Sequence, residues 1–254
     1  MILRDKGLLF IHIPKTAGST IERHLYGDRL SFRDAPNYEI GWGWCPDRKV
    51  WLQHLTLQEL VDLDLVDRSE LGDLFKFTIV RNPFALAVSE YYELLRYLRP
   101  PFCASFGSLL SREGRWQDLL ADQELSSYRG DHLRSQFRYL SLDDAPNALD
   151  HVGSVEHIDH TFDLLERITG DKFDRSVREN RAREFFKHYS HFYRNFEISM
   201  VAQHFAEDIS RFDYTFDDRR TFSSRRSRLF KRVLAQVHFA KPWIFGRVAQ
   251  TFKR

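Results

Sequence analysis

The chain has 254 residues, 43% of them hydrophobic, enough to bury one substantial core as a single large domain or a domain with an appendage. Its two cysteines, Cys45 and Cys103, lack CxxC spacing, which argues against a disulfide framework and a structural zinc site. The net charge of +2 conceals an asymmetry. Eleven Lys and Arg and no acid lie from Arg219 to Arg254, so residues 1–218 hold the other 27 bases against all 36 acids, a net of −9.

Leu8 to Ile13 (LLFIHI) is a short β-type apolar run ending at Pro14, too short for a signal-peptide core or a membrane span. A reducing cytoplasm is therefore the expected compartment. A helix is predicted from Ala17–Gly18 to Tyr26, stopped by Gly27. Arg29 to Asp47 reads as a long surface loop whose Trp42 and Trp44 anchor it or stack on sugar faces, and Val50 to Gln53 as a second short strand. Phe75 to Val80 (FKFTIV) is the next strand. Arg81-Asn82-Pro83 then opens a helix with Asn82 as N-cap and a buried stripe of Phe84, Val88, Tyr91 and Leu95. Pro100 to Asn147 reads as mixed helix and loop. His151 to Glu156 is a strand followed by a helix from Ile158 to Ile168, and Ile198, Val201, Phe205, Ile209 and Phe212 predict one long final helix. Strands separated by helices indicate an α/β fold, a P-loop-NTPase-like, mostly parallel sheet flanked by helices, occupying residues 1–218. Residues 219–254 form a basic, helical tail, and truncation after Phe222 is expected to leave a folded body.

Ligands of such sheets bind beyond the carboxyl ends of the strands. The first such place is Pro14-Lys15-Thr16-Ala17-Gly18-Ser19-Thr20, where small residues let successive N–H groups approach a phosphate and the opening helix adds its positive end. Lys15 adds a full charge, and Thr16, Ser19 and Thr20 add hydroxyls. The lysine precedes the single glycine, unlike the GxxxxGK[ST] loop of NTPases. The second place carries Arg81 at a strand end and Ser89 two turns down the next helix, on the face of Asn82 and Ala85, a pocket for a phosphate monoester.

HIPKTAGST followed by VRNPFALAVSEYY resembles the paired donor-binding motifs of the sulfotransferases that use 3′-phosphoadenylyl sulfate (PAPS). The likeness is nearest to the carbohydrate branch with the heparan sulfate and uronyl 2-O-sulfotransferases. It implies that Lys15, Thr16, Ala17, Gly18, Ser19 and Thr20 hold the 5′-phosphosulfate, and that Arg81 and Ser89 hold the 3′-phosphate retained in the product PAP. HLRSQFRYL resembles the acceptor-side segment, which assigns His132 and Gln136 to the acceptor. VGSVEHIDHTFDLL and FAEDISRFDY are similar to the family's late motifs, extending the likeness over Leu8 to Phe216. The chain departs from the pattern at Leu86, where a second arginine is common, and at Asp213, which replaces a usual glycine.

The resemblance also implies a histidine base after the second short strand, which is His54; a free imidazole suits proton acceptance at neutral pH. Lys15 joins it as a catalytic charge, and Glu59 is the fallback carboxylate. His12 reads as a strand histidine pinning the loop. No metal is expected. The expected partner is a hydroxyl acceptor on a glycan, not a nucleic acid, and the basic tail is a solvated segment or a peripheral membrane contact. Two other readings stay open, a Mg²⁺-dependent P-loop kinase or NTPase and a non-catalytic nucleotide- or polyanion-binding module.

Overall fold

The computed structural model of the protein describes residues 1–27, 35–95, 105–113, 117, 132–143, 145–176 and 187–234. Parts of the predicted Arg29–Asp47 loop, much of Pro100–Asn147 and the tail beyond residue 234 lie outside these residues. In chain order the elements are β1 (Ile2–Leu3), β2 (Leu8–Ile11), α1 (Gly18–Tyr26), β3 (Trp44–Cys45), β4 (Val50–Trp51), α2 (Leu57–Asp62), β5 (Phe75–Val80), α3 (Pro83–Leu94), α4 (Phe106–Leu110), β6 (His151–Ser154), α5 (Ile158–Thr169), α6 (Asn195–His204) and α7 (Ala206–Arg211). Residues 222–234 add a helix, α8. The chain divides into two compact units, Met1–Asn82 with Gln123–Arg181, and Pro83–Asp122 with Ala182–Arg254.

The first unit is built on a sheet of order β1-β2-β5-β6. β1 runs antiparallel to β2, and the β2–β5 and β5–β6 pairs are parallel, so the α/β architecture with a mostly parallel sheet stands. Every residue of β2 is buried, as a strand covered on both faces requires. Phe10 faces Phe77 in register, with ring centroids 4.9 Å apart. Their side of the sheet receives Ile21 and Leu25 of α1 and Ile158, Phe162 and Leu165 of α5. Gly153 lets α5 sit close to β6, because a Cβ there would fall 2.1 Å from the Thr161 hydroxyl oxygen.

Two expectations are corrected. Val50–Gln53 does not join the central sheet. Val50–Trp51 pairs antiparallel with Trp44–Cys45 in a separate two-stranded sheet, and Leu52–His54 forms one 3₁₀ turn. The Trp44 and Trp51 rings meet at 5.5 Å, and Trp42 is buried in the core, so both loop tryptophans anchor structure. The final helix is not continuous. Phe205 leaves helical geometry at ψ 29° while burying its ring completely, and α7 restarts with Glu207 and Asp208 in its first turn, where the helix dipole favours acids. Past its end Asp213 takes φ +52°, the left-handed stop that favours glycine and that aspartate tolerates.

The second unit centres on aromatic packing. Phe106 stands edge-on to Phe192 at 4.9 Å and to Tyr91 of α3 at 5.5 Å, and the buried Tyr193 hydroxyl donates to the Phe84 carbonyl at 2.7 Å. Glu197 accepts the Arg194 N–H at the start of α6, and its carboxylate, 2% exposed, also receives both Arg232 Nη groups at 2.9 and 2.6 Å. The Arg232 guanidinium lies 4.0 Å from the Phe192 ring centroid and donates to the Phe192 carbonyl. The residues beyond 222 thus hold a buried carboxylate of the second unit, and the truncation expected to leave a folded body would unpair it. Arg232→Ala leaves a carboxylate buried without its counter-charge and should cost about 3–5 kcal/mol. Denaturant unfolding of Arg232→Ala, and of a chain ending at residue 222, should show the loss in both; wild-type midpoints would refute it.

Candidate functional site

The site grows out of the end of β2. After Ile11 the chain turns through Pro14–Ala17 into α1, with Lys15 at φ +64° and Ala17 at φ +67°. Left-handed conformation costs a non-glycine residue about 1–2 kcal/mol, so something must hold these two. Three contacts do. The buried Thr16 hydroxyl donates to the Ile13 carbonyl at 2.8 Å, Arg81 Nη1 donates to the Lys15 carbonyl at 3.2 Å, and the Ala17 carbonyl accepts the Thr20 and Ile21 N–H groups at 2.9 and 3.3 Å. A left-handed residue followed by a helical one turns successive N–H groups toward one concave side. The N–H groups of Gly18 and Ser19 come before that of Thr20, the first to bond back to the Ala17 carbonyl, at the positive end of α1.

His12 fixes this turn. A Cβ on Gly18 would lie 2.0 Å from the His12 ring, so only glycine admits the imidazole there. One turn along the same face, Glu22 Oε1 meets His12 Nδ1 at 2.5 Å, with both side chains buried. Burial pushes the Glu22 carboxyl up, but the charge and hydrogen bond of His12, then the charge of His54, outweigh it and hold the carboxyl below 4.5. The carboxylate therefore contributes stability above its unfolded value, and that contribution is lost as pH falls through the lowered one.

His54, partly buried in its 3₁₀ turn, packs edge-on to His12 with centroids 4.6 Å apart. Its Nδ1 lies 3.2 Å from the His12 carbonyl. A carbonyl only accepts, so Nδ1 carries the proton of this bond and the neutral ring keeps its basic lone pair on Nε2. Lys15–Thr20, Arg81 and His54 thus stand on connected main chain, joined through the carbonyls of His12 and Lys15.

The exit of β5 is held by later segments. Arg81 N–H donates to Gln136 Oε1 at 2.8 Å and the Gln136 amide donates back to the Arg81 carbonyl at 2.9 Å, while Asn82 N–H donates to Glu156 at 2.9 Å. Gln136 is fully buried and His132 nearly so. Arg134, between them, grips both oxygens of Glu59 at 3.0 Å, and Glu59 and Thr56 form the capping box of α2. Ser89 belongs to the second unit, partly exposed on α3. Glu22, Glu156 and the Gln136 clasp escaped sequence reasoning; a glutamate four residues after a helix-opening glycine, opposite a strand-end histidine, is the signal that could have found the first. Among the described residues no group of three or more His, Cys, Asp or Glu gathers to hold a metal ion.

A family model described as the sulfotransferase family matches residues 1–216. Neither a curated protein nor a solved structure matches the chain.

Gly18→Ala drives a methyl group into the His12 ring and should destabilise the protein by about 1–3 kcal/mol. Thermal unfolding reads the loss, and Ala17→Gly, which relieves a left-handed alanine, should not reproduce it. Equal stability of wild type and Gly18→Ala would contradict the packing.

Proposed function

The chain belongs to the sulfotransferase family, and from that membership we propose that it transfers a sulfuryl group from PAPS to a glycan hydroxyl, with His54 as general base. The observation that carries the donor assignment is the turn with left-handed Lys15 and Ala17, opening a helix N-terminus and bonded through the Lys15 carbonyl to Arg81. Its functional groups are cations and N–H donors, which fit a phosphosulfate and a second phosphate. Lys15, Thr16, Ala17, Gly18, Ser19 and Thr20 hold the 5′-phosphosulfate. Arg81 and, by the resemblance, Ser89 bind the 3′-phosphate.

In the reaction the acceptor oxygen forms a bond to sulfur as the bond from sulfur to the phosphate oxygen breaks, yielding a sulfate ester and PAP. The acceptor proton passes to His54 Nε2. Negative charge grows on the departing phosphate oxygen, where Lys15 and the N–H groups of Gly18 and Ser19 meet it; one fixed donor of this kind is worth roughly 10²–10³ in rate. Thr16 contributes to the donor site through its main chain, since its hydroxyl proton is directed at the Ile13 carbonyl. Gln136 works by holding the main chain of Arg81, and His132 keeps the acceptor-side role.

Lys15→Ala and Arg81→Ala should each weaken PAP binding by about 1.5–3 kcal/mol, measured by isothermal titration. His54→Ala should bind PAP as wild type does yet lose roughly 10²–10⁴ of single-turnover transfer to a responsive glycan. Undiminished affinity in both charge variants would remove the donor site, and undiminished turnover would remove His54 from the mechanism.

A further inference from the structure

Helix α8 is docked with its polar side inward. Ser224 and Arg232 are buried, Arg232 holds Glu197 and the Phe192 carbonyl, and Arg228 Nε donates to the His191 carbonyl at 3.3 Å. The opposite side is apolar and faces solvent, with Phe222 77%, Leu229 66%, Phe230 66%, Val233 49% and Leu234 43% exposed. Positions 222, 226, 229, 230 and 233 share one helical face. Its one cation, Arg226, lies over the Phe222 ring at 5.9 Å, and Arg225 flanks it, exposed. Surface helices ordinarily bury such a face, and a contiguous exposed apolar patch marks a binding surface.

We propose that α8 is a membrane-surface helix that lays Phe222, Leu229, Phe230 and Val233 into an anionic phospholipid bilayer. The charge chooses this occupant. Residues 219–254 carry eleven bases and no acid, so a second copy placed against this face would set like charges together, whereas acidic lipid headgroups attract them. Beyond residue 234 the sequence keeps the same pairing of bases with apolar rings, in Phe239, Lys241, Trp243, Phe245 and Arg247. The Arg232–Glu197 pair keeps the apolar side outward in the folded protein. The inference is independent of the transfer chemistry.

The test is vesicle flotation of the full chain, with phosphatidylcholine vesicles alone and with about 30% phosphatidylserine, at low salt and at about 0.5 M salt. The full chain should float with the phosphatidylserine vesicles at low salt and much less at high salt. Leu229→Ser/Phe230→Ser, which retains every base, should partition at least about tenfold more weakly while its circular dichroism and melting stay those of wild type. Arg225→Gln/Arg226→Gln should lose the preference for phosphatidylserine. The proposal is overturned if the full chain ignores both vesicles or the Ser variant binds as well as wild type. It is equally overturned if the protein proves to be a dimer that the Ser variant dissociates, with no lipid binding.

Discussion

The arrangement depends on where the His12 ring lies. It occupies the face of α1 between Gly18, which has no side chain to exclude it, and Glu22, which accepts its Nδ1 proton. The ring fixes the start of α1 against the end of β2, and the turn between them has no freedom left to relax Lys15 and Ala17 out of the left-handed region. The His12 carbonyl orients His54. The buried His12–Glu22 contact thus sets the shape of the turn entering α1, and the His12 carbonyl sets the tautomer of the neighbouring imidazole.

The charges are layered. Lys15, Arg81 and the N-terminus of α1 present positive charge at the turn, and Glu22 lies behind the histidines with its carboxyl held below its ordinary value. The strain of two left-handed residues is about 1–2 kcal/mol each, similar to the worth of the charged contact from Arg81 to the Lys15 carbonyl. The turn keeps its shape because several contacts over-determine it, which is how strained backbone persists at functional sites.

Much of this was legible in the sequence. An unbroken apolar run such as Phe75–Val80 admits little but a buried strand, and Asn82-Pro83 announces a helix start. What was not legible has physical causes. The two-residue strands at Trp44 and Val50 are too short to show a period. Helical spacing runs straight through Phe205, and nothing local says that its ring pulls the backbone out of line. Gln136 reaches Arg81 from 55 positions away, and such a contact leaves no trace in local pattern. Arg232 is one base among many until its buried partner Glu197 is seen, and periodicity alone cannot tell which side of α8 meets the protein.

The central claim is that the turn entering α1 receives the donor nucleotide on its main-chain N–H groups. The most direct measurement is the amide ¹⁵N–¹H spectrum of the labelled protein during titration with PAP. The account predicts that the amides of Gly18 and Ser19 move downfield in step with saturation, as N–H groups gaining an anionic acceptor do. Saturable PAP binding that leaves both amides unmoved would contradict it.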